Sequence, residues 1–115
     1  MACNLADIMA VFKQSNRHYL VGIEIKEWNA TVNPKLAHEY LETYRNTCEY
    51  FYLAAKKFSK STLELNEIGL FDLTEMKVIK SPAFFDNTSV WDLKESLDTE
   101  YNSLPASFIF EGPTE

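Results

Sequence analysis

The chain has 115 residues, of which 46% are hydrophobic, 14% aromatic and 24% charged, and this length fits one domain. The apolar share excludes a disordered tail, three glycines and four prolines exclude collagen-like chains, and no apolar run approaches the roughly 20 residues of a membrane helix. The net charge of −6 is uneven, because residues 1–80 balance ten basic with ten acidic residues while residues 81–115 hold seven acidic residues and one lysine. We therefore expect a single domain, 1–115, with a core at 6–80 and an acidic C-terminal region at 81–115.

The compartment is inferred from the cysteines and the N-terminus. Cys3 and Cys48 are too few for a disulfide scaffold and lack the spacing of a zinc site. The first residues, MACNLADIMA, have no basic residue ahead of the apolar part, unlike a secretory signal peptide. We therefore expect a soluble, cytoplasmic protein.

The first predicted elements are two strands. Residues 8–12 are apolar and bounded by polar residues, as in a buried strand. A polar, turn-like stretch, 13–18, separates them from residues 19–26, where apolar and other side chains alternate. This alternation places Glu24 and Lys26 on the same face, and the two strands are expected to form a hairpin.

A helix and three further strands are predicted next. Asn33 is a good N-cap and Pro34 suits the first helical position, so a helix begins there and ends near Thr47. Its apolar stripe consists of Leu36, Ala37, Tyr40, Leu41, Tyr44 and Cys48. Residues 50–55 (YFYLAA) are typical of a fully buried strand. After a loop at 56–61, residues 67–73 and 76–80 predict two short strands with a turn near 72–75.

The C-terminal region predicts an amphipathic helix that Pro105 ends. Asn87, Thr88 or Ser89 would cap it, and its apolar members are Val90, Trp91, Leu93, Leu97 and Tyr101. Residues 107–110 would be a last strand or an ordered tail. The order strand, strand, helix, strand, strand, strand, helix predicts an α/β domain with a mixed sheet and a central crossover helix.

One group of residues has the chemistry of a hydrolytic site. Asp7 precedes the first strand, and a hairpin would bring it beside Glu24, with Lys26 on the same face. Carboxylates are hard ligands that hold Mg²⁺ together with waters, and a bound metal lowers the pKa of its water. A lysine can orient or deprotonate that water or stabilise the transition state. Glu-x-Lys is also an ordinary surface pattern on half-exposed strands, and neither His18 nor His38 has metal-ligand spacing.

These residues resemble a known family. The run ADIMAVFKQSNRHYLVGIEIK looks like the metal-binding hairpin of the PD-(D/E)XK nuclease superfamily, in which an Asp begins one strand and Glu-x-Lys follows in the next. Asp7, Glu24 and Lys26 match those positions, and Ala6 stands where the signature often has Pro. The helix KLAHEYLETYRNTCEY, the strand YFYLAA and the later IGLFDL are similar to the segments that follow in the family, so the resemblance covers residues 6–80.

The resemblance implies a restriction-endonuclease-like fold and hydrolysis of phosphodiester bonds in nucleic acid, with DNA the expected substrate and Mg²⁺ or Mn²⁺ the cofactor. Asp7 and Glu24 would be metal ligands, the Ile25 carbonyl a further ligand, and Lys26 the water-activating residue. The side chains of Asp7, Glu24 and Lys26 would be the catalytic ones. The enzyme class would be a PD-(D/E)XK endonuclease or exonuclease of DNA repair, recombination, restriction or a mobile element.

Two positions of the family pattern stay open. Many members place a polar residue of the crossover helix at the site, and the nearest position is Tyr40, with His38 and Glu39 beside it, so that role is unassigned. Members usually have a helix before the Asp strand, and only six residues precede Asp7. That first helix is expected to be missing, which leaves a fragment, a minimal member completed by a partner chain, or an inactive relative.

The expected partners follow from charge and size. Nucleic-acid contacts are expected from Lys13, Lys35 and Arg45. The full set of basic candidates also includes Arg17, Lys56, Lys57 and Lys60. A homodimer is expected, because a sheet without the first helix would leave apolar surface to cover. The alternatives are a non-catalytic domain of the same fold for protein interaction or nucleic-acid binding, and an acidic interaction domain that uses residues 88–102.

Overall fold

The architecture is one mixed sheet with a helix packed on it. The computed structural model describes residues 5–14 and 17–86. In these ranges the strands are β1 (Ile8–Gln14), β2 (Arg17–Lys26), β3 (Tyr50–Ala55), β4 (Gly69–Asp72) and β5 (Lys77–Lys80). Helix α1 (Pro34–Tyr44) connects β2 to β3, and a single 3-10 turn occupies Thr62–Glu64.

The strands lie in the sheet in chain order, β1-β2-β3-β4-β5. The two outer pairs, β1–β2 and β4–β5, are antiparallel, and the inner pairs, β2–β3 and β3–β4, are parallel. A parallel pair needs a crossover connection, which α1 supplies between β2 and β3. The predicted mixed α/β class with a central crossover helix is confirmed.

The β1–β2 hairpin is longer than predicted. Its pairing runs from Ile8 opposite Ile23 to Gln14 opposite Arg17, so it includes most of the polar stretch 13–18 that predicted a turn. Antiparallel pairing uses backbone groups and continues into exposed ends whatever the side chains are. Lys13, Arg17 and His18 of this stretch are paired in the hairpin and exposed, so their polarity reflects exposure.

Helix α1 begins as the sequence predicts and ends earlier. The Asn33 side chain accepts a hydrogen bond of 2.8 Å from the Leu36 N–H, as an N-cap does. The helix ends at Tyr44 rather than near Thr47. Cys48, the last member of the predicted stripe, lies after the helix but is buried, and burial raises the pKa of its thiol to about 12.

Alternate residues of the central strands enter two buried clusters on opposite faces. The face covered by α1 includes Val11, Leu20, Phe51, Leu53 and Leu70, together with Ala37 and Leu41 of the helix. The opposite face includes Tyr19, Val21, Ile23, Tyr50, Tyr52, Ala54 and Phe71. β3 is buried along its whole length, as predicted for a strand covered on both faces. Two apolar residues of the outer strands, Ile8 and Ile79, are 41% and 37% exposed. The homodimer stays a prediction.

The β4–β5 connection is a tight turn fixed by one carboxylate. Asp72 Oδ1 accepts hydrogen bonds from the N–H groups of Thr74 and Glu75, at 2.7 and 3.2 Å. Met76 then has a positive φ of 55°, an uncommon conformation for a residue with a side chain. The two strands are shorter than the predicted 67–73 and 76–80, since β4 covers Gly69–Asp72 and β5 covers Lys77–Lys80.

The acidic C-terminal prediction falls beyond the described part of the chain. The predicted helix at 88–102 and the predicted strand or tail at 107–110 lie outside the described residues. Among residues 5–14 and 17–86, no helix combines the length and apolar composition needed to cross a bilayer.

Gly69 allows close packing between β4 and its neighbours, which gives a stability prediction. A Cβ atom at Gly69 would lie 2.8 Å from Tyr52 Cδ2 and 3.0 Å from the Pro82 ring, whereas a Cβ atom at Gly22 would lie 3.3 Å from Cys48 Sγ. We expect Gly69→Ala to lower the free energy of unfolding by about 1–3 kcal/mol, because overpacking forces the ring and backbone apart. Gly22→Ala is the matched control, with a smaller expected loss. Urea unfolding midpoints measure both, and an equal loss in the two variants would contradict the prediction.

Candidate active site

The hairpin register brings Asp7 beside Glu24. Ile8 pairs with Ile23 at the end of the ladder, so Asp7 lies next to Glu24, the residue that follows Ile23. The Asp7 N–H donates a hydrogen bond of 3.1 Å to Glu24 Oε1. The hairpin expectation for these two residues is therefore met in the structure.

Lys26 completes the cluster. Its Nζ lies 2.9 Å from Glu24 Oε2, and the Glu24 side chain is 5% exposed whereas that of Lys26 is 23% exposed. The hydrogen bond to Glu24 raises the pKa of Lys26 above its ordinary value, although partial burial opposes this shift. The side chain is consequently an ammonium at neutral pH.

The backbone of Ile25 takes part in the same cluster. Its N–H donates a hydrogen bond of 2.8 Å to Asp7 Oδ2. The N–H and C=O of one strand residue point to the same side of the strand. The Ile25 carbonyl therefore faces the Asp7 side of β2 rather than β3, which is the direction required of a ligand in the same site.

Two tyrosines of α1 border the cluster. The sequence analysis named Tyr40 as the helix position nearest the site but left its role unassigned, and it did not place Tyr44 there. The Lys26 Nζ lies 4.9 Å from the centre of the Tyr40 ring. Burial, followed by the negative charge of Glu24 and a hydrogen bond to it, raises the pKa of the Tyr44 phenol. Tyr40 and Tyr44 are four residues apart and so lie on one face of the helix. That spacing was the available signal for Tyr44, which was interpreted only as part of the apolar stripe.

The access of solvent to the cluster depends on which face of the sheet α1 covers. Glu24 and Lys26 lie on the face covered by α1, and β2 is an internal strand, so the cluster is not at a lateral edge of the sheet. Glu24 is only 4% exposed, whereas Asp7 is exposed. The cluster therefore opens to solvent at the ends of β1 and β2, on the Asp7 side.

The donor set fits a hard divalent cation better than zinc. No group of three or more His, Cys, Asp or Glu side chains that could hold a metal occurs among residues 5–14 and 17–86. Zinc sites need three or four such ligands. Mg²⁺ often binds through one or two carboxylates and keeps several waters. Asp7 and Glu24 supply two adjacent carboxylates, and the Ile25 carbonyl supplies a third oxygen.

The three residues expected to contact nucleic acid do not lie together. Lys13 is six residues along β1 from Asp7, a distance of about 20 Å. Arg45, at the end of α1, lies 2.8 Å from Glu42 and 3.5 Å from Glu67, and these acidic neighbours raise the pKa of its guanidinium. Lys35 is exposed in the first turn of α1, about 15 Å along the helix from Arg45.

Other basic residues follow β3 at the site's end of the sheet. Lys26 pairs with Ala55, the last residue of β3, so Lys56 and Lys57 continue from the strand next to Lys26. Both are exposed. Two residues from the wider set of basic candidates therefore lie at the same end of the sheet as the cluster.

A small depression elsewhere on the surface does not suit an organic ligand. It is lined by His38, Leu41, Leu65, Asn66, Glu67 and Ile68, and its volume is about 50 Å³. Binding pockets for organic molecules usually measure about 300–1,000 Å³. His38 is thus a lining residue of this depression.

Comparisons with known proteins give no relative. No protein-family model matches the chain, and neither a curated protein nor a solved structure matches it. The function of the site is therefore argued from the geometry of its own residues.

Proposed function

We propose that the chain is a metal-dependent nuclease that hydrolyses phosphodiester bonds in nucleic acid, with DNA as the first substrate to test. The observation that supports this most directly is the mutual bonding of Asp7, Glu24, Ile25 and Lys26. Two carboxylates, a carbonyl and an ammonium next to one another are the groups that phosphodiester hydrolysis uses.

The order of the elements supports the same proposal. An antiparallel hairpin, a crossover helix and two parallel strands follow one another, as in the segments for which the sequence resembles the PD-(D/E)XK superfamily. A restriction-endonuclease-like fold and membership of that superfamily are accordingly part of the proposal. The sheet lies within residues 8–80, which is nearly the whole span of the resemblance.

Each residue has a role that its position allows. Asp7 and Glu24 would hold Mg²⁺ or Mn²⁺ through their carboxylates, with the Ile25 carbonyl as a further ligand. The ion, when bound, would supply a water of lowered pKa and neutralise charge on the phosphate. The Lys26 ammonium would stabilise negative charge developing on the phosphate or orient the attacking water. Tyr44, next to Glu24, would hold that carboxylate in place.

Partner and compartment belong to the same proposal. Nucleic acid would approach from the Asp7 side of the cluster, where Lys56 and Lys57 follow β3 and Lys35 lies in the first turn of α1. A neutral balance of charge in residues 1–80 permits a polyanion there. The cytoplasm, where nucleic acid and Mg²⁺ are both present, stays the expected compartment.

A non-catalytic domain of the same fold is the second candidate. The Glu24 carboxylate is bonded by the Asp7 N–H and the Lys26 ammonium without any metal. A buried charge that is paired and hydrogen-bonded in this way can serve as a structural element alone. This candidate predicts that Glu24 has no effect on metal binding.

Cleavage assays on a matched pair of variants test the function. Wild type, Glu24→Gln and Glu49→Gln are incubated with single-stranded, duplex and branched DNA in Mg²⁺, Mn²⁺ or EDTA. Glu49 is a suitable control, because it is also buried, at 7% exposed, and accepts a hydrogen bond of 2.8 Å from the Leu20 N–H. It precedes β3, whereas Lys26 of the cluster pairs with the last residue of that strand. We expect metal-dependent cleavage by wild type and Glu49→Gln and a loss of cleavage in Glu24→Gln, because the amide binds Mg²⁺ more weakly than a carboxylate.

The other outcomes are equally informative. Equal cleavage by all three proteins would indicate a contaminating nuclease. No cleavage on any substrate, together with Mn²⁺ binding that is absent or independent of Glu24, would favour the non-catalytic candidate.

A further inference from the structure

An exposed tryptophan stands directly beside the candidate active site. Trp28 is two residues beyond the end of β2 and is 42% exposed. The centre of its ring lies 5.5 Å from the Lys26 Nζ. The Tyr40 ring lies 4.9 Å from the same nitrogen, and the two ring centres are 6.3 Å apart with a tilt of 48°. Two aromatic rings therefore flank the ammonium group that is bonded to Glu24.

Trp28 differs from the aromatic residues that form the core of the fold. The buried aromatic residues of the sheet, such as Tyr19, Phe51 and Tyr52, are at most 1% exposed. Tyr40 is partly buried against the core, so it supports Trp28 from the helix side. The remaining ring surface of Trp28 faces solvent next to the cluster, where a planar ligand can reach it.

We propose that Trp28, supported by Tyr40, stacks against an unpaired base of a single-stranded nucleic-acid segment that enters the site. Aromatic side chains hold single strands by stacking on bases, whatever the sequence. In a continuous duplex each base already stacks on its neighbours within the helix, so a duplex offers Trp28 no free base face. The substrate class is consequently a single strand, an overhang or a flap rather than a continuous duplex. That the bound strand is then cleaved at a phosphodiester bond rests on the proposed function.

The neighbouring charges fit this ligand. A single strand needs positive charge along its backbone in addition to a stacking surface. Lys35 lies in the first turn of α1, five residues before Tyr40. Lys56 and Lys57 follow the strand that pairs with β2 beside Lys26. All three are exposed. The aromatic pair and the lysines thus occur at the same end of the sheet.

Fluorescence of Trp28 tests the inference without relying on cleavage. A Trp91→Phe background leaves Trp28 as the one tryptophan, since the sequence has two. In EDTA, this protein is titrated with an unpaired 12-residue oligodeoxythymidine and with a blunt duplex of equal length. We expect quenching by the single strand. The affinities of the variants are measured by the anisotropy of a fluorescein-labelled oligodeoxythymidine, and Trp28→Ala is expected to weaken single-strand binding about 5- to 150-fold. Binding of the duplex should change little.

Two controls separate stacking from damage to the fold. Trp28→Phe keeps a ring and should restore most of the single-strand affinity, whereas Leu63→Ala, at another residue that is 42% exposed, should leave it unchanged. Absence of quenching, or an equal loss of affinity for both nucleic acids, would overturn the inference. Trp28-dependent binding by a protein that never cleaves would support the inference and refute the nuclease. Cleavage that prefers single strands equally in wild type and Trp28→Ala would support the nuclease and refute the inference.

Discussion

Replacement of Lys26 by methionine is expected to lower the kcat of Mg²⁺-dependent cleavage by about 10²–10³-fold. Methionine keeps much of the length of the side chain but removes the ammonium that lies 2.9 Å from Glu24. Negative charge that develops on the phosphate would then lose its nearest positive side chain. The measurement is single-turnover cleavage at saturating Mg²⁺, at a temperature where circular dichroism shows the variant folded.

The affinity for metal separates this role from that of Glu24. Removing a positive charge next to two carboxylates should leave Mn²⁺ binding unchanged or tighter, since like charges repel. Glu24→Gln should instead weaken Mn²⁺ binding. Lys26→Arg keeps the charge and is expected to recover part of the rate. A parallel loss of Mn²⁺ affinity and kcat in Lys26→Met would show that Lys26 supports the ligands and does not act on the phosphate.

Lys26→Met is also expected to destabilise the fold by about 2–3 kcal/mol, more than Glu24→Gln does. The reason is an asymmetry of burial, because the Glu24 side chain is 5% exposed and that of Lys26 is 23% exposed. Without Lys26, a buried carboxylate loses its counterion. Without the charge of Glu24, Lys26 can still reach water and the glutamine can still accept the Asp7 N–H. Urea unfolding at neutral pH measures both variants.

The double variant Glu24→Gln/Lys26→Met is the control. With the carboxylate removed first, the loss of Lys26 should cost less than it does in the wild-type background, so the double variant should be more stable than Lys26→Met alone. Additive effects of the two substitutions would mean that the pair is screened by solvent and contributes little to the free energy of unfolding.

Local sequence patterns were sufficient for much of the fold. The alternation in β2 correctly placed Glu24 and Lys26 on one face, Asn33 and Pro34 marked the start of α1, and the apolar run at 50–55 gave the bounds of β3. These features depend on the two-residue period of a strand or on hydrogen bonds within one turn of a helix. Ends of elements were less accurate, as in the hairpin and at Tyr44, because pairing and capping there depend on backbone neighbours.

The chemistry of the candidate site can be read from the sequence, because Asp7, Glu24 and Lys26 supply two carboxylates and an amine and the strand period puts Glu24 and Lys26 on one face. That α1 covers this face, buries Glu24 and brings Tyr40 and Tyr44 to it becomes evident from the packing of the fold. The packing also separates Lys13 and Arg45 from the cluster. The physical reason is that a strand's period fixes which residues share a face, whereas the element that covers the face depends on contacts between residues far apart in the chain.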